Sequence, residues 1–231
     1  MKPQKEILHL PLSEAEIINI IKNVKERISI SKLDNIRPRH PNIQFDCLLR
    51  GYVGEYAIAK WLAENDIVID RRNVVPEEDS VDIDFLYKGK IIELKTSLIP
   101  DTDKTLENAV QKRDIKLIKR EEKIEDLRGD VHVQIVYRQK RNAKDTWLAA
   151  QPIDLESTDI CYLYDALLAR AYRQSTYLVG WMEKPMLVEK INKLPASRRT
   201  WTFSATHRSF WSCPIRESRA PWELIPYLTS L

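Results

Sequence analysis

Val81-Asp-Ile-Asp-Phe-Leu-Tyr-Lys-Gly-Lys-Ile-Ile-Glu-Leu-Lys-Thr-Ser97 contains two apolar-rich runs that meet at Lys88-Gly89, with charges inside both runs. Side chains alternate along a strand, so the first run places Val81, Ile83 and Phe85 on one face and Asp82 and Asp84 on the other. In the second run Glu93 and Lys95 share a face and Leu94 points the opposite way. A hairpin over 81–97 therefore brings two carboxylates and an ammonium toward one end of a small sheet.

The elements around this hairpin set its context. Ser13 and Glu16 form a capping-box pattern before Ile17, Ile21, Val24 and Ile28, which predicts an amphipathic helix over Leu12–Leu33. Pro38 and Pro41, around Arg37, Arg39 and His40, then predict a basic loop over Asp34–Pro41, for which a solvated loop and a phosphate contact both remain open. A second helix is predicted over Phe45–Asn65, with Phe45, Leu49, Tyr52, Val53, Tyr56, Trp61 and Leu62 in its apolar stripe and Asn65 ending it. Glu55 interrupts that stripe beside Tyr52 and Tyr56. It reads either as a half-buried carboxylate presented to a site or as an ordinary exposed glutamate.

A short strand over Ile67–Ile69 follows, continued by Arg71–Val75 and a polar loop over Pro76–Ser80. Beyond the hairpin, Asp103–Leu127 reads as one long helix whose basic and acidic residues nearly cancel, the pattern of a solvated face. Val131–Tyr137 alternates as a strand. A turn over residues 138–144 and a strand near Trp147–Ala150 come next, then a helix capped by Asp159 and running through Tyr172, and a strand over Thr176–Met182. The final forty residues read as strands around Arg198–Phe203 and His207–Trp211, with a short helical segment near Trp222–Leu228.

The chain has 231 residues, 43% of them hydrophobic and with a formal charge of +3, enough for one sizeable domain without the strong basicity of a dedicated DNA-binding module. No apolar run approaches the ~18 residues of a membrane span, and the opening residues lack a signal-peptide core. These features predict a soluble, cytoplasmic protein with no membrane partner. Cys47, Cys161 and Cys213 are far apart, without zinc or disulfide spacing, and read as buried small residues.

Asp84, Glu93 and Lys95 together suit metal-assisted phosphodiester hydrolysis. Hard Mg²⁺, or Mn²⁺ in its place, prefers carboxylate oxygens, and the carbonyl of Leu94 would complete the protein ligands. Lys95 would orient or deprotonate the attacking water and stabilise charge on the phosphate. Glu55 would add a further carboxylate or help to hold a second ion. Carboxylates packed this closely repel each other without a cation between them.

Gly54-Glu55 on a helix, Ile83-Asp84 on a strand and Glu93-Leu94-Lys95 on the next strand resemble, in that order, the PD-(D/E)xK nuclease superfamily, the restriction-endonuclease-like fold. The resemblance covers Arg50–Ser97, and Val131–Tyr137 fits the family's next core strand after a crossover helix. It implies an α/β fold with a mixed central sheet flanked by helices. The core then spans about residues 45–150 of a single domain, preceded by an N-terminal helix and followed by extra C-terminal strands and helices over 151–231. It also implies Mg²⁺-dependent DNA cleavage, with Asp84 and Glu93 as metal-binding acids, Lys95 as the catalytic lysine and Glu55 as the helix acid. No proline precedes Asp84, Asp82 competes for its role, and Gln134 is a candidate for an extra polar residue on the following strand.

DNA is the implied partner, and a homodimer would suit double-strand cutting. A nuclease-like fold that binds DNA or a partner without chemistry is the alternative, and a structural hairpin in which Glu93 pairs with Lys95 is a third reading. Nucleophile-elbow, P-loop, dinucleotide and zinc-protease motifs are lacking. His9, His40, His132 and His207 are dispersed. Trp201, Phe203 and Trp211 read first as core aromatics and second, with His207 and Arg208, as base-stacking groups.

Overall fold

The computed structural model describes residues 6–28, 39–70, 84–119, 122–203 and 208–231. Asp82, most of the basic loop with Arg37, the 71–80 segment and His207 lie outside the described residues.

The first helix, α1 (Glu14–Ile28), follows strand β1 (Leu8–His9). Its capping box is formed: the Ser13 N–H donates to the Glu16 carboxylate at 2.7 Å, and the Glu16 N–H donates to Ser13 Oγ at 3.2 Å. Ile17, Ile20, Ile21 and Val24 are buried. Helix α2 (Pro41–Ala63) starts earlier than predicted, because Pro41 opens it instead of blocking it. A proline in the first turn loses no helical hydrogen bond, and His40 caps the end by accepting the Asn42 N–H. Near the other end the Asn65 amide donates to the Trp61 carbonyl at 2.8 Å, and Asp66 turns to a φ of 61°.

Strands β2 (Phe85–Tyr87) and β3 (Lys90–Ile99) form the predicted hairpin within the described residues. Positive φ at both Lys88 (45°) and Gly89 (79°) suits a two-residue turn between twisted strands. The predicted 67–69 strand is reduced to a single bridge between Asp70 and Leu86, although Ile67 and Ile69 are buried.

The predicted long helix over 103–127 does not form. Helix α3 (Leu106–Lys112) is capped by Thr105 and gives way at Arg113 to strand β4 (Asp114–Ile118). In β4, Ile115 and Leu117 are buried while Asp114, Lys116 and Ile118 alternate outward, a strand period hidden inside a charged window. Strand β5 (Val131–Lys140) follows.

Helix α4 (Arg141–Ala150) replaces the predicted turn and strand near 147. Two N–H groups of its first turn, on Asn142 and Ala143, donate to the Asp101 carboxylate, a cap supplied from 41 and 42 positions away. Asp159 caps α5 (Ile160–Ala166) as expected. The helix does not continue to Tyr172, because Leu168 adopts a φ of 52°; α6 (Tyr172–Ser175) is a separate turn.

Strand β6 (Thr176–Glu183) matches its prediction, and α7 (Lys184–Lys193), which the periodicity did not indicate, begins with Pro185 in its first turn. A short helix α8 (Ala196–Arg199), strands β7 (Thr200–Phe203) and β8 (Arg208–Pro214), and helix α9 (Leu224–Thr229) complete the chain.

The fold is mixed α/β. A five-stranded sheet has the order β1-β6-β5-β3-β2, and its mixed character comes from the parallel β3–β5 pair among antiparallel neighbours. A separate antiparallel sheet has the order β4-β8-β7. One face of the larger sheet packs beneath α1, α2 and α5, with Phe45, Trp181, Tyr137 and Tyr172 in that core. Val136, Val179 and Met182 face a second core with α3, α7, β4 and β8. Of the three cysteines only Cys213 is buried; Cys47 is half-buried and Cys161 exposed. Among the described residues no helix is long and apolar enough to cross a membrane.

Candidate functional site

The site begins with the pleat of β3. Leu94 and Thr96 point toward α2, where Gly54 lets the helix approach closely: a Cβ there would lie 2.6 Å from Thr96 Cγ2 and 3.2 Å from both Leu94 Cδ2 and the Tyr137 hydroxyl. Glu93 and Lys95 point to the other face, as their spacing predicts. Their charged ends meet, with Lys95 Nζ 2.5 Å from Glu93 Oε1.

A third group joins them from the neighbouring strand. Parallel register sets His132 of β5 beside Glu93, and the buried His132 ring places Nδ1 2.9 Å from Glu93 Oε2, at ion-pair distance but off the hydrogen-bond line. Its Nε2 lies 3.0 Å from the Gly129 carbonyl oxygen, which only accepts, so Nε2 carries the hydrogen there. Gly129 makes room for this ring: a Cβ would fall 2.7 Å from His132 Cε1 and 3.2 Å from Glu93 Cβ. Burial pushes the Glu93 carboxyl up, but His132 and Lys95 outweigh it and hold the group down at about 2. Sequence spacing gave no reason to select His132; only the pairing of β3 with β5 identifies it.

Asp84 enters from the end of β2. Its Oδ2 accepts the Leu94 N–H at 2.5 Å, so the carboxylate sits against the Glu93–Leu94 peptide. The β2–β3 register pairs Phe85 with Ile92 and Leu86 with Ile91. Asp84 directly precedes the first paired residue of β2. Gln134, in register with Lys95, is buried and donates to Ser97 Oγ at 3.2 Å and to the Ile135 carbonyl at 2.8 Å.

Glu55 is half-buried on α2, the helix that covers the Leu94 and Thr96 side of the strand. Among the described residues no three His, Cys, Asp or Glu side chains, whether from Asp84, Glu93, His132 or Glu55, gather as a set of metal donors.

Beyond the carboxyl half of β3 lies a basic cavity of about 510 Å³, lined in part by Arg39, His40, Cys47, Arg50, Ser97 and Arg141. Behind it, buried Asp46 is shared by Arg50 (3.2 Å), Lys144 (2.9 Å) and the Tyr172 hydroxyl, which donates at 2.6 Å. Burial pushes the Lys144 ammonium down against the pull of Asp46, and it pushes the Tyr172 and Tyr137 hydroxyls well above the usual phenol range. Two of these groups were masked by their surroundings in the sequence: Asp46 lies in an apolar helix stripe, and Lys144 in what reads as a basic turn.

None of the family models, curated proteins or solved structures compared with the chain matches it.

Proposed function

We propose that this chain is a metal-dependent DNA nuclease with Asp84, Glu93 and Lys95 as its working residues. The observation that carries the reading is the Asp84 carboxylate bonded to the Leu94 N–H, between Glu93 and Lys95. Two carboxylates and one ammonium thereby share a short piece of strand. A restriction-endonuclease-like arrangement is part of the same proposal. The β2–β3 hairpin, the crossover containing α3 and the parallel strand β5 support it.

The donor set suits a hard cation. Mg²⁺ needs only one or two carboxylates, with water and phosphate oxygens filling its other positions. Asp84, Glu93 and the Leu94 carbonyl would hold it, and Glu93 is ionised throughout the physiological range. Bound there, Mg²⁺ or Mn²⁺ would acidify a water and draw charge from the scissile phosphate. Lys95 places an ammonium where it orients that water and stabilises charge on a phosphate oxygen. His132, anchored at Gly129, places Nδ1 2.9 Å from the other oxygen of the Glu93 carboxylate. Glu55 is left outside the proposed donor set. DNA is the substrate in this reading, and a homodimer is the arrangement that double-strand cutting would use.

The engagement of both Glu93 oxygens, by Lys95 and by His132, favours a second reading. In it the fold binds DNA or a partner without chemistry, and the three groups are an ion-pair network. Calorimetric titration with Mn²⁺, alongside cleavage assays on linear, circular, single-stranded and branched DNA, separates the two. Metal binding lost in Asp84→Asn, together with cleavage, supports the nuclease. Intact DNA in every form, no heat from Mn²⁺, and salt-dependent DNA binding that is indifferent to Asp84→Asn support the second reading.

A further inference from the structure

The smaller sheet has one covered face, and among the described residues its other face is partly exposed around Trp201, although Ser212 and Pro214 on that face are buried. Ile115 and Leu117 of β4 and Trp211 and Cys213 of β8 are buried in the core shared with α3 and α7. Antiparallel register fixes what lies on the other side: Ile118, Phe210 and Trp201 form one row across the sheet, with Phe203 opposite Arg208 in the next. Trp201 is 40% exposed. Its ring centroid lies 5.6 Å from those of both Phe203 and Phe210, at interplanar angles of 50° and 43°. Lys116 Nζ stands 4.2 Å over the Trp201 ring.

We propose that this partly exposed face is a binding platform for a single strand of nucleic acid, formed by Trp201, Phe203 and Phe210 with Lys116 and Arg208 beside them. Three exposed or half-exposed rings in contact on a sheet present π-faces without a hydrogen-bonding pattern, which suits unpaired bases of any type. Duplex DNA keeps its base faces covered and cannot use such a surface. The charge favours a polyanion: Lys116 lies within the aromatic patch, its Nζ over the Trp201 ring, and the core of a protein–protein interface is depleted of lysine. Asp114, the acid on this strand row, is at the far end and accepts a hydrogen bond from Ser212 Oγ at 2.8 Å.

Binding on this face requires neither Glu93 nor a metal ion, so its test stands apart from cleavage. The probe is a fluorescent oligothymidylate of about 12 nucleotides, within the span of single-strand binding sites. Its anisotropy is followed in EDTA against the full chain. The expected result is salt-dependent binding that unlabelled duplex of equal length fails to displace. Trp201→Ala should weaken it about tenfold while Trp201→Phe restores most of it. Lys116→Met should lower the slope of log affinity against log salt by about one. Because Trp201 is exposed, these variants test the surface without opening the core. The proposal is overturned if the wild-type chain does not bind, if duplex competes equally, or if Trp201→Ala binds as tightly as wild type. It is also overturned if sedimentation shows a dimer that Trp201→Ala dissociates while no oligonucleotide binds, since the face would then be a protein contact. Retained binding without any cleavage would end the nuclease reading and leave this one standing.

Discussion

Glu93 is the residue on which the electrostatics of the hairpin turn. Its carboxyl is held at about 2, against an ordinary 4.5, by His132 and Lys95. A depressed acid contributes stability that is complete above its unfolded value and is lost as pH falls through its folded value. The Glu93 contribution is therefore complete above about pH 4.5 and disappears toward pH 2. In EDTA, Glu93→Gln should lower the melting temperature at pH 6, and the gap to wild type should close as the pH is taken down to 2.5; a gap that stays constant across that range would contradict the assignment. Asp46 makes a different prediction. It is buried with two cations and a tyrosine hydroxyl on its oxygens, so Asp46→Ala strands Arg50 and Lys144 without their counter-charge. Loss of one partner from a buried ionic cluster costs about 3–5 kcal/mol, which urea unfolding at neutral pH would register as a lowered midpoint.

At the scale of elements, the contact of α2 with β3 rests on Gly54. Gly54→Ala drives a methyl to 2.6 Å from Thr96 Cγ2, so the helix must lift or the threonine must move. Overpacking of this kind costs about 1–3 kcal/mol. Thr96→Ser removes the nearest atom and should recover part of that loss in a double-mutant cycle; strictly additive costs would contradict the contact.

The sequence made local elements legible where the cause was local. The Ser13–Glu16 box, the Asp159 cap and the Lys88-Gly89 turn follow from neighbouring residues, and so do the strands at 131–137 and 176–182, although Val131–Tyr137 is buried on both faces instead of alternating in and out. Elements whose cause lies elsewhere in the chain were missed. α4 is capped by Asp101, β4 is a strand because β8 pairs with it, and α5 stops where Leu168 adopts a left-handed conformation. The site divides the same way. Glu93 and Lys95 were paired by their i, i+2 spacing, whereas His132 enters through a parallel pairing that no spacing encodes. Trp201 was read first as a core residue and lies on the partly exposed face of a sheet.

For the whole molecule, two chemistries are proposed on two sheets. The larger sheet carries Asp84, Glu93 and Lys95, and the smaller carries an aromatic and basic face suited to unpaired bases. A nuclease with such a face would favour substrates containing single-stranded DNA over intact duplex. The central claim is that the Asp84, Glu93 and Lys95 group hydrolyses phosphodiester bonds. Its most direct test measures cleavage of single-stranded and branched DNA with Mg²⁺ or Mn²⁺ by wild type, Glu93→Gln and Lys95→Met prepared identically. The account predicts cleavage by wild type that EDTA abolishes and that each substitution lowers by at least about a hundredfold. Wild-type rates retained in both variants, or no cleavage by wild type with either metal, would contradict it.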